Sequence, residues 1–337
     1  MTTLFPTIEV SDVREGASAP APVAFLLAGF PDDHSAFAPL AQELKKKYKV
    51  IIACFPLYDQ SSVEKDQKTY YTQEEIYYSL EATIFKCTKP GEKITLIIHD
   101  FGCYFGSHFA FLHPEKIEKL VTMDIGCTTR CLPAAAGSKH AYGLAKFPDA
   151  PRKKDKLQQM FYQLYFCMAY TVGSKVGFGV GDAILQAFFS WAKYVGFLQK
   201  TSGEGGTKHS RDAKEIKSFM CYPYWALWRR ILFAKKTMLV HTYKSEFTHP
   251  KEVQTGFQGL LPVYIPYPET IPTLFMYGKR KAFHFHSYGY VDHVKKQLGC
   301  AAMGVDGGHW FFLDQPKFSH KVVLDFLKGV LYPYSPM

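Results

Sequence analysis

The apolar run Ile94 to His99 leads directly into Asp100-Phe101-Gly102 and then into a helix-forming stretch. A side chain on so sharp a strand-to-helix turn is held out over the end of a sheet, and the N–H groups opening the helix favour an anion beside them. Asp100 supplies that anion. Taken alone, its type and place suit a helix N-cap, whose carboxylate accepts from the first free N–H groups. They also suit a nucleophile. An aspartate attacks esters and amides poorly, yet it can displace an oxygen or halide at a saturated carbon and form a covalent alkyl ester. Hydrolysis of that ester needs an activated water. Any of the 13 histidines has an imidazole able to accept a proton from it near neutral pH.

The elements that must hold these residues follow from hydrophobic patterning. Val23 to Leu27 and Val50 to Phe55 read as buried parallel strands, and Ser35 to Tyr48 between them as a helix with Lys45 to Lys47 at its C-terminal end. Thr72 with Glu75 three residues on is a capping-box pattern opening another helix, which Pro90-Gly91 stops. Strand Lys93 to His99, helix Phe101 to His113 and strand Leu120 to Met123 continue the alternation. Such alternation implies a mostly parallel α/β sheet flanked by helices, with right-handed crossovers.

From Ile125 to about Ile271 the alternation gives way to helical patterns and Gly/Ser/Lys loops, notably the linker Thr201 to Ser210. It resumes with strand Pro272 to Tyr277, helix Tyr288 to Leu298, strand Ala301 to Val305 and helix Lys317 to Leu331. The organisation expected is therefore a core domain in two parts, residues 1–125 and 271–337, interrupted by a helical cap, residues 126–270. In such sheets ligands bind beyond the carboxyl ends of the strands, where Asp100 lies.

Several motifs resemble the α/β-hydrolase fold family and, within it, the epoxide hydrolases. Ile98-His99-Asp100-Phe101-Gly102 is similar to the small-x-nucleophile-x-small elbow, Gly29-Phe30-Pro31 to the H-G-F-P oxyanion loop, and Gly307-Gly308-His309-Trp310 with Asp314-Gln315-Pro316 to the loop bearing the catalytic histidine. The three stand in the family order. The resemblance implies Asp100 as nucleophile, His309 as base, and the backbone N–H groups of Phe30 and Phe101 as oxyanion donors. It also implies two lid tyrosines that protonate the leaving alkoxide. Phe161-Tyr162-Gln163-Leu164-Tyr165-Phe166 matches the first and points to Tyr162; Tyr222-Pro223-Tyr224-Trp225 matches the second, with Tyr224 preferred over Tyr222. Many relatives place the acid that orients the histidine after the strand formed here by Thr273 to Tyr277, but Lys279, Arg280 and Lys281 stand there. Asp124 occupies the position similar to that used by some haloalkane dehalogenases and takes the role; an ordinary strand-end aspartate capping Ile125-Gly126 is its other reading.

Three departures bear on activity. Ala28 replaces the family's histidine before Gly29, Ile98 replaces a glycine in the crowded elbow, and Cys103 follows Gly102. Bulk at Ile98 requires a local adjustment. The expected function is hydrolysis of a small apolar epoxide by water. The alternatives are a haloalkane dehalogenase-like hydrolase, disfavoured by Phe at positions 30 and 101 and by the lack of any Asn, and a divergent, non-catalytic ligand-binding protein of the same fold.

Composition sets the outer limits. A chain of 337 residues with 47% hydrophobic, 21% charged and 16% aromatic residues buries a large core, which excludes global disorder. The net charge of +10 is spread over short clusters, Lys45 to Lys47, Arg152 to Lys156, Arg229 with Arg230 and Lys279 to Lys281, read as solvated faces rather than a nucleic-acid surface. The 8 cysteines contain no C-x-x-C pair, so neither a disulfide framework nor a metal site is expected, and no cofactor is implied. No apolar run is long enough to span a bilayer; Phe161 to Leu198, the nearest, is broken by Lys175, Asp182 and Lys193. Met1 to Arg14 lacks the apolar core of a signal peptide, no glycosylation sequon exists, and Pro336 in Ser335-Pro336-Met337 spoils a peroxisomal tripeptide, so the cytoplasm is the expected compartment.

Overall fold

A computed structural model describes residues 4–12, 21–133, 142–148, 153–194, 211–233, 264–281 and 284–330. Its strands are β1 (Thr7–Val10), β2 (Val23–Leu27), β3 (Lys49–Ala53), β4 (Ile94–His99), β5 (Ile117–Met123), β6 (Thr129–Pro133), β7 (Tyr142–Lys146), β8 (Pro266–Tyr267), β9 (Thr273–Gly278) and β10 (Ala301–Val305). Its helices are α1 (Ala38–Leu44), α2 (Gln73–Cys87), α3 (Phe101–Leu112), α4 (Lys153–Val176), α5 (Phe178–Tyr194), α6 (Tyr222–Phe233), α7 (Tyr288–Lys296), the single turn α8 (Phe311–Asp314) and α9 (Pro316–Leu327).

Seven of the described strands form one sheet in the order β1-β3-β2-β4-β5-β9-β10, parallel except for β1, which runs antiparallel to β3. Strands β2, β4 and β9 are buried along their whole length because both faces of the sheet are covered there. Alternate side chains point to opposite faces: Phe25, Leu27, Leu96 and Ile98 pack toward α2 and α3, while Ala24, Leu26, Ile52 and Ile97 pack toward Phe37, Leu40, Val322 and Phe326. Parallel strands thus aim their carboxyl ends at one edge, and the ends of β4, β5 and β9 lie side by side there.

Local signals explain the element ends. Both capping-box bonds form at α2: Glu75 N–H donates to Thr72 Oγ1 at 3.2 Å, and Thr72 N–H donates to Glu75 Oε2 at 2.8 Å. The helix expected over Ser35 to Tyr48 is shorter. A 3₁₀ turn, His34–Phe37, precedes α1, whose first turn carries Pro39 and which ends before the three lysines. Pro39 has no N–H for an intrahelical bond, so an α-helix begins around it rather than running through it.

The segment between β5 and β9 is not purely helical. Strands β6, β7 and β8 form a second, three-stranded sheet, with β6 and β8 paired at Thr129↔Pro266 and Arg130↔Tyr267. Strands of two to five residues carry too little alternation to be read from sequence. Beyond this sheet, α4 and α5 pack as an antiparallel pair through Tyr165, Phe166 and Phe188, with ring centroids 5.0 Å apart for Tyr165–Phe188 and for Phe166–Phe188. The expected linker Thr201 to Ser210 and the tripeptide Ser335 to Met337 lie outside the described residues. No described helix is long and apolar enough to cross a membrane. Cys54, Cys87, Cys103, Cys127, Cys167, Cys221 and Cys300 are free thiols.

Candidate active site

Asp100 sits between β4 and α3 with φ 52° and ψ −126°, a region L residues rarely occupy, and makes no side-chain cap bond to α3. Holding a residue there costs about 1–3 kcal/mol and requires surrounding structure that over-determines it. That structure is visible in close approaches. A Cβ added to Gly29 would lie 2.3 Å from Asp100 Oδ1 and 2.3 Å from Phe101 N, so only glycine lets the loop after β2 reach the elbow. The adjustment for Ile98 is made on α3: a Cβ at Gly106 would meet Ile98 Cγ2 at 2.8 Å and Cδ1 at 2.9 Å. The missing side chain of Gly106 makes room for the extra one of Ile98. Cys103 also fits, its thiol donating to the carbonyls of Ile98 and Met123 at 3.4 and 3.3 Å.

The two oxygens of Asp100 face different groups. Phe30 N–H donates to Oδ1 at 2.8 Å, and His309 Nε2 lies 3.3 Å from Oδ2. On its other side, His309 Nδ1–H donates to Asp124 Oδ2 at 2.5 Å. Asp124 is fully buried at the end of β5, with φ 73° and its N–H bonded to Met276 O at 2.7 Å. The expected trio Asp100, His309 and Asp124 is therefore contiguous.

Lys281 adds a fourth charge. Its ammonium, 2% exposed, bonds the same Asp124 Oδ2 and lies 4.3 Å from the centroid of the Phe285 ring. Burial alone pushes the Asp124 carboxyl up, but the charges of Lys281 and His309 outweigh it and hold Asp124 well below the usual carboxylate range. Burial pulls His309 down, yet Asp124 and the hydrogen bond to Asp100 raise its pKa to about 9, with Lys281 opposing them. The Lys281 ammonium is itself lowered by burial, against the pull of Asp124.

Behind this group, His99 packs on His309 with centroids 4.5 Å apart, and its Nε2 is 3.1 Å from His309 O. Asp32, just past Gly29-Phe30-Pro31, accepts from Trp310 Nε1 at 2.8 Å and lies 3.6 Å from His99 Nδ1. These contacts tie the loop after β2 and the elbow to the His309 loop. Lys281, His99 and Asp32 were not among the expected site residues. The one signal for Lys281 was that a lysine stands where relatives place an acid. For the other two, adjacency in sequence to Asp100 and to the Gly29-Phe30-Pro31 loop was the available clue.

Tyr162 from α4 and Tyr224 from α6 meet above Asp100, with ring centroids 6.0 Å apart; Tyr224 also packs on Phe101 at 4.9 Å and on Phe30 at 5.2 Å. Burial is the main cause holding both phenols above their ordinary value, and the Asp100 charge adds to it, so both stay protonated at neutral pH. Tyr222 points elsewhere. Its hydroxyl donates to Pro56 O at 3.1 Å, and its ring packs on Tyr58 and Tyr71. Among the described residues no group of three or more His, Cys, Asp or Glu side chains is arranged to hold a metal ion.

The parallel sheet, the strained elbow and the strand-end polar groups define the α/β-hydrolase fold. The chain has that fold: residues 22–157 match the family described as alpha/beta hydrolase fold. Among solved structures it is similar to an epoxide hydrolase of Bacillus megaterium in complex with an inhibitor, at 14% identity and TM-score 0.55, covering 96% of each chain. A haloalkane dehalogenase loop variant from Bradyrhizobium elkanii matches at 16% identity and TM-score 0.55, over 96% of this chain and 92% of that one. A carboxylesterase of Bacillus subtilis matches at 14% identity and TM-score 0.54, over 97% of this chain and 90% of its own. No curated protein sequence matches significantly.

Proposed function

We propose that the protein adds water to small apolar epoxides through a covalent ester on Asp100. The observation that carries this reading is the split environment of that carboxylate: Oδ1 rests on the Phe30 N–H at 2.8 Å, while Oδ2 is the oxygen that faces His309. In the first step Asp100 Oδ2 attacks an epoxide carbon, the ring C–O bond breaks, and the alkoxide takes a proton from Tyr162 or Tyr224. In the second, His309 Nε2 removes a proton from water, which adds to Asp100 Cγ. Negative charge then develops on Oδ1, where the Phe30 N–H already sits, joined in this reading by the Phe101 N–H. His309 first passes its resting proton to the tyrosinate; collapse after the water attack then releases a diol, which takes the remaining water proton, and leaves one water oxygen in Asp100. Asp124 fixes the tautomer and direction of His309.

The cap, residues 126–270 in this reading, contributes the acids and an aromatic roof of Phe166, Tyr162 and Tyr224 suited to an apolar substrate. The haloalkane dehalogenase alternative is weaker because Phe30 and Phe101 offer no side-chain N–H to a halide. A single turnover in ¹⁸O-water tests the proposal: label should enter the Asp100 carboxylate, and mass spectrometry of the peptide reads it. Epoxide turnover that leaves Asp100 unlabelled, or an Asp100→Asn variant as active as the parent, refutes it.

A further inference from the structure

We propose that Lys281 is a positioning residue for the hydrolytic half-reaction: its ammonium, seated on the Asp124 oxygen that also accepts from His309, stops Asp124 from keeping His309 protonated once Asp100 is esterified. The proposal rests on the reading of Asp100 as nucleophile. Its basis is a count of buried charges. Asp100 and Asp124 flank the imidazole on opposite sides, at 3.3 and 2.5 Å, and Lys281 bonds the same Asp124 oxygen that accepts from His309. Before reaction, two carboxylates oppose one ammonium, and an imidazolium completes the balance. Forming the ester moves the charge of Asp100 onto the tyrosine that protonates the alkoxide, and that tyrosinate is the acceptor for the imidazolium proton. With Lys281 in place, Asp124 is already matched by one cation, so His309 is free to pass its proton to the tyrosinate and then act as a base. Without Lys281, the bare Asp124 would hold that proton, and water would meet an acid where it needs a base.

Phe285, Cys103, His286 and the two tyrosines, also packed around the pair, do not supply the missing positive charge. Phe285 presents a ring to Lys281, and Cys103 on α3 is a thiol that burial keeps protonated. Burial lowers His286 to about 3, with the neighbouring His284 and Lys281 charges adding to the fall, so its imidazole is neutral. Tyr162 and Tyr224 above Asp100 are neutral phenols before ring opening, and losing a proton gives either of them a negative charge, not a positive one. His99 packs on His309 from below and holds its Nε2 3.1 Å from the His309 carbonyl. Asp32 accepts from Trp310 at 2.8 Å and lies 3.6 Å from His99 Nδ1.

The test uses the full chain with labelled histidine and follows the His309 imidazole by NMR titration. Asp100→Asn serves as a neutral stand-in for the ester. In that background Lys281→Met and Lys281→Gln should each raise the His309 pKa by about 1–3 units, the range expected on losing a charge at this distance, and Lys281→Arg should restore it. With epoxide, Lys281→Met alone should form the Asp100 ester at close to the parental rate, accumulate it near pH 7, and regain hydrolysis as pH rises. A His309 titration unmoved by the neutral substitutions, or an arginine variant that behaves like methionine, overturns the proposal. Should both neutral variants fail to fold, the Lys281 ammonium resonance of the unaltered protein decides: an ammonium from pH 6 to 9 supports the proposal, and a free amine at pH 7 overturns it. Absence of any Asp100 ester in every variant would instead remove the nucleophile reading, while the titration would still report on Lys281.

Discussion

The proton held by His309 couples the site to the stability of the whole chain. Its pKa is raised from 6.5 to about 9 in the folded protein, so the native state binds this proton more tightly than the unfolded chain does. The stabilisation is fully present below the unfolded value and is lost as pH rises through the folded one. At about 1.4 kcal/mol per unit, a gap of this size is worth about 3 kcal/mol. Other buried groups titrate in the same direction at higher pH, among them Cys103, Cys127 and Cys221, whose thiols burial pushes up. His309→Gln keeps all of them, so the difference between parent and variant isolates the imidazole. Urea unfolding at pH 6.5, 7.5, 8.5 and 9.5 should give two curves that converge by about 3 kcal/mol over the series, steepest near pH 8. Curves that stay parallel would mean His309 is not held as an imidazolium between the two carboxylates, and the charge count around Lys281 would fall with it.

Four further outcomes follow from particular contacts. His309→Gln should let the alkyl ester persist, seen as added mass on the Asp100 peptide after mixing with epoxide, whereas the parent shows none at steady state. Tyr162→Phe should slow ester formation by about 10- to 100-fold, less than the full worth of an acid because Tyr224 remains, and pre-steady-state mixing measures it. Tyr222→Phe should leave turnover within about twofold but destabilise the fold by about 1–2 kcal/mol, since it strands the buried Pro56 carbonyl; thermal unfolding beside a rate assay separates the two effects. Gly106→Ala should destabilise by about 1–3 kcal/mol through its clash with Ile98, and adding Ile98→Ala should recover most of that.

The core was legible where one physical rule governed a segment. Strand β2 is buried on both faces and so is a continuous apolar run, and the Thr72–Glu75 pair marks a helix start whatever lies around it. Where tertiary context decides, sequence fell short. β1 is an edge strand with three of its four residues exposed, so nothing in Thr7–Val10 demands a sheet. β6 to β8 owe their pairing to contacts between residues far apart in the chain. The residues expected in the site sit together because each follows the carboxyl end of a strand or lies on α4 or α6, whose Tyr162 and Tyr224 pack on each other and, for Tyr224, on Phe101 and Phe30. Lys281 was legible only as an acid that was missing, since a pattern of residue types does not say which carboxylate a lysine will meet.

The departures from the family pattern come in matched pairs. Ile98 brings a side chain into the elbow, and Gly106 on the facing helix omits one, so the volume at the turn is conserved although its source is exchanged. Charge is handled in the same way. In place of an acid after β9 the chain carries Lys281, and the carboxylate that orients His309 comes from the end of β5 instead. Neither substitution would be tolerated singly: Ile98 against an alanine would overpack the elbow, and Lys281 without Asp124 would be a buried, unpaired cation costing several kcal/mol. Each pair therefore stands or falls as a unit: recovering the stability lost by a change at one position requires the matching change at the other.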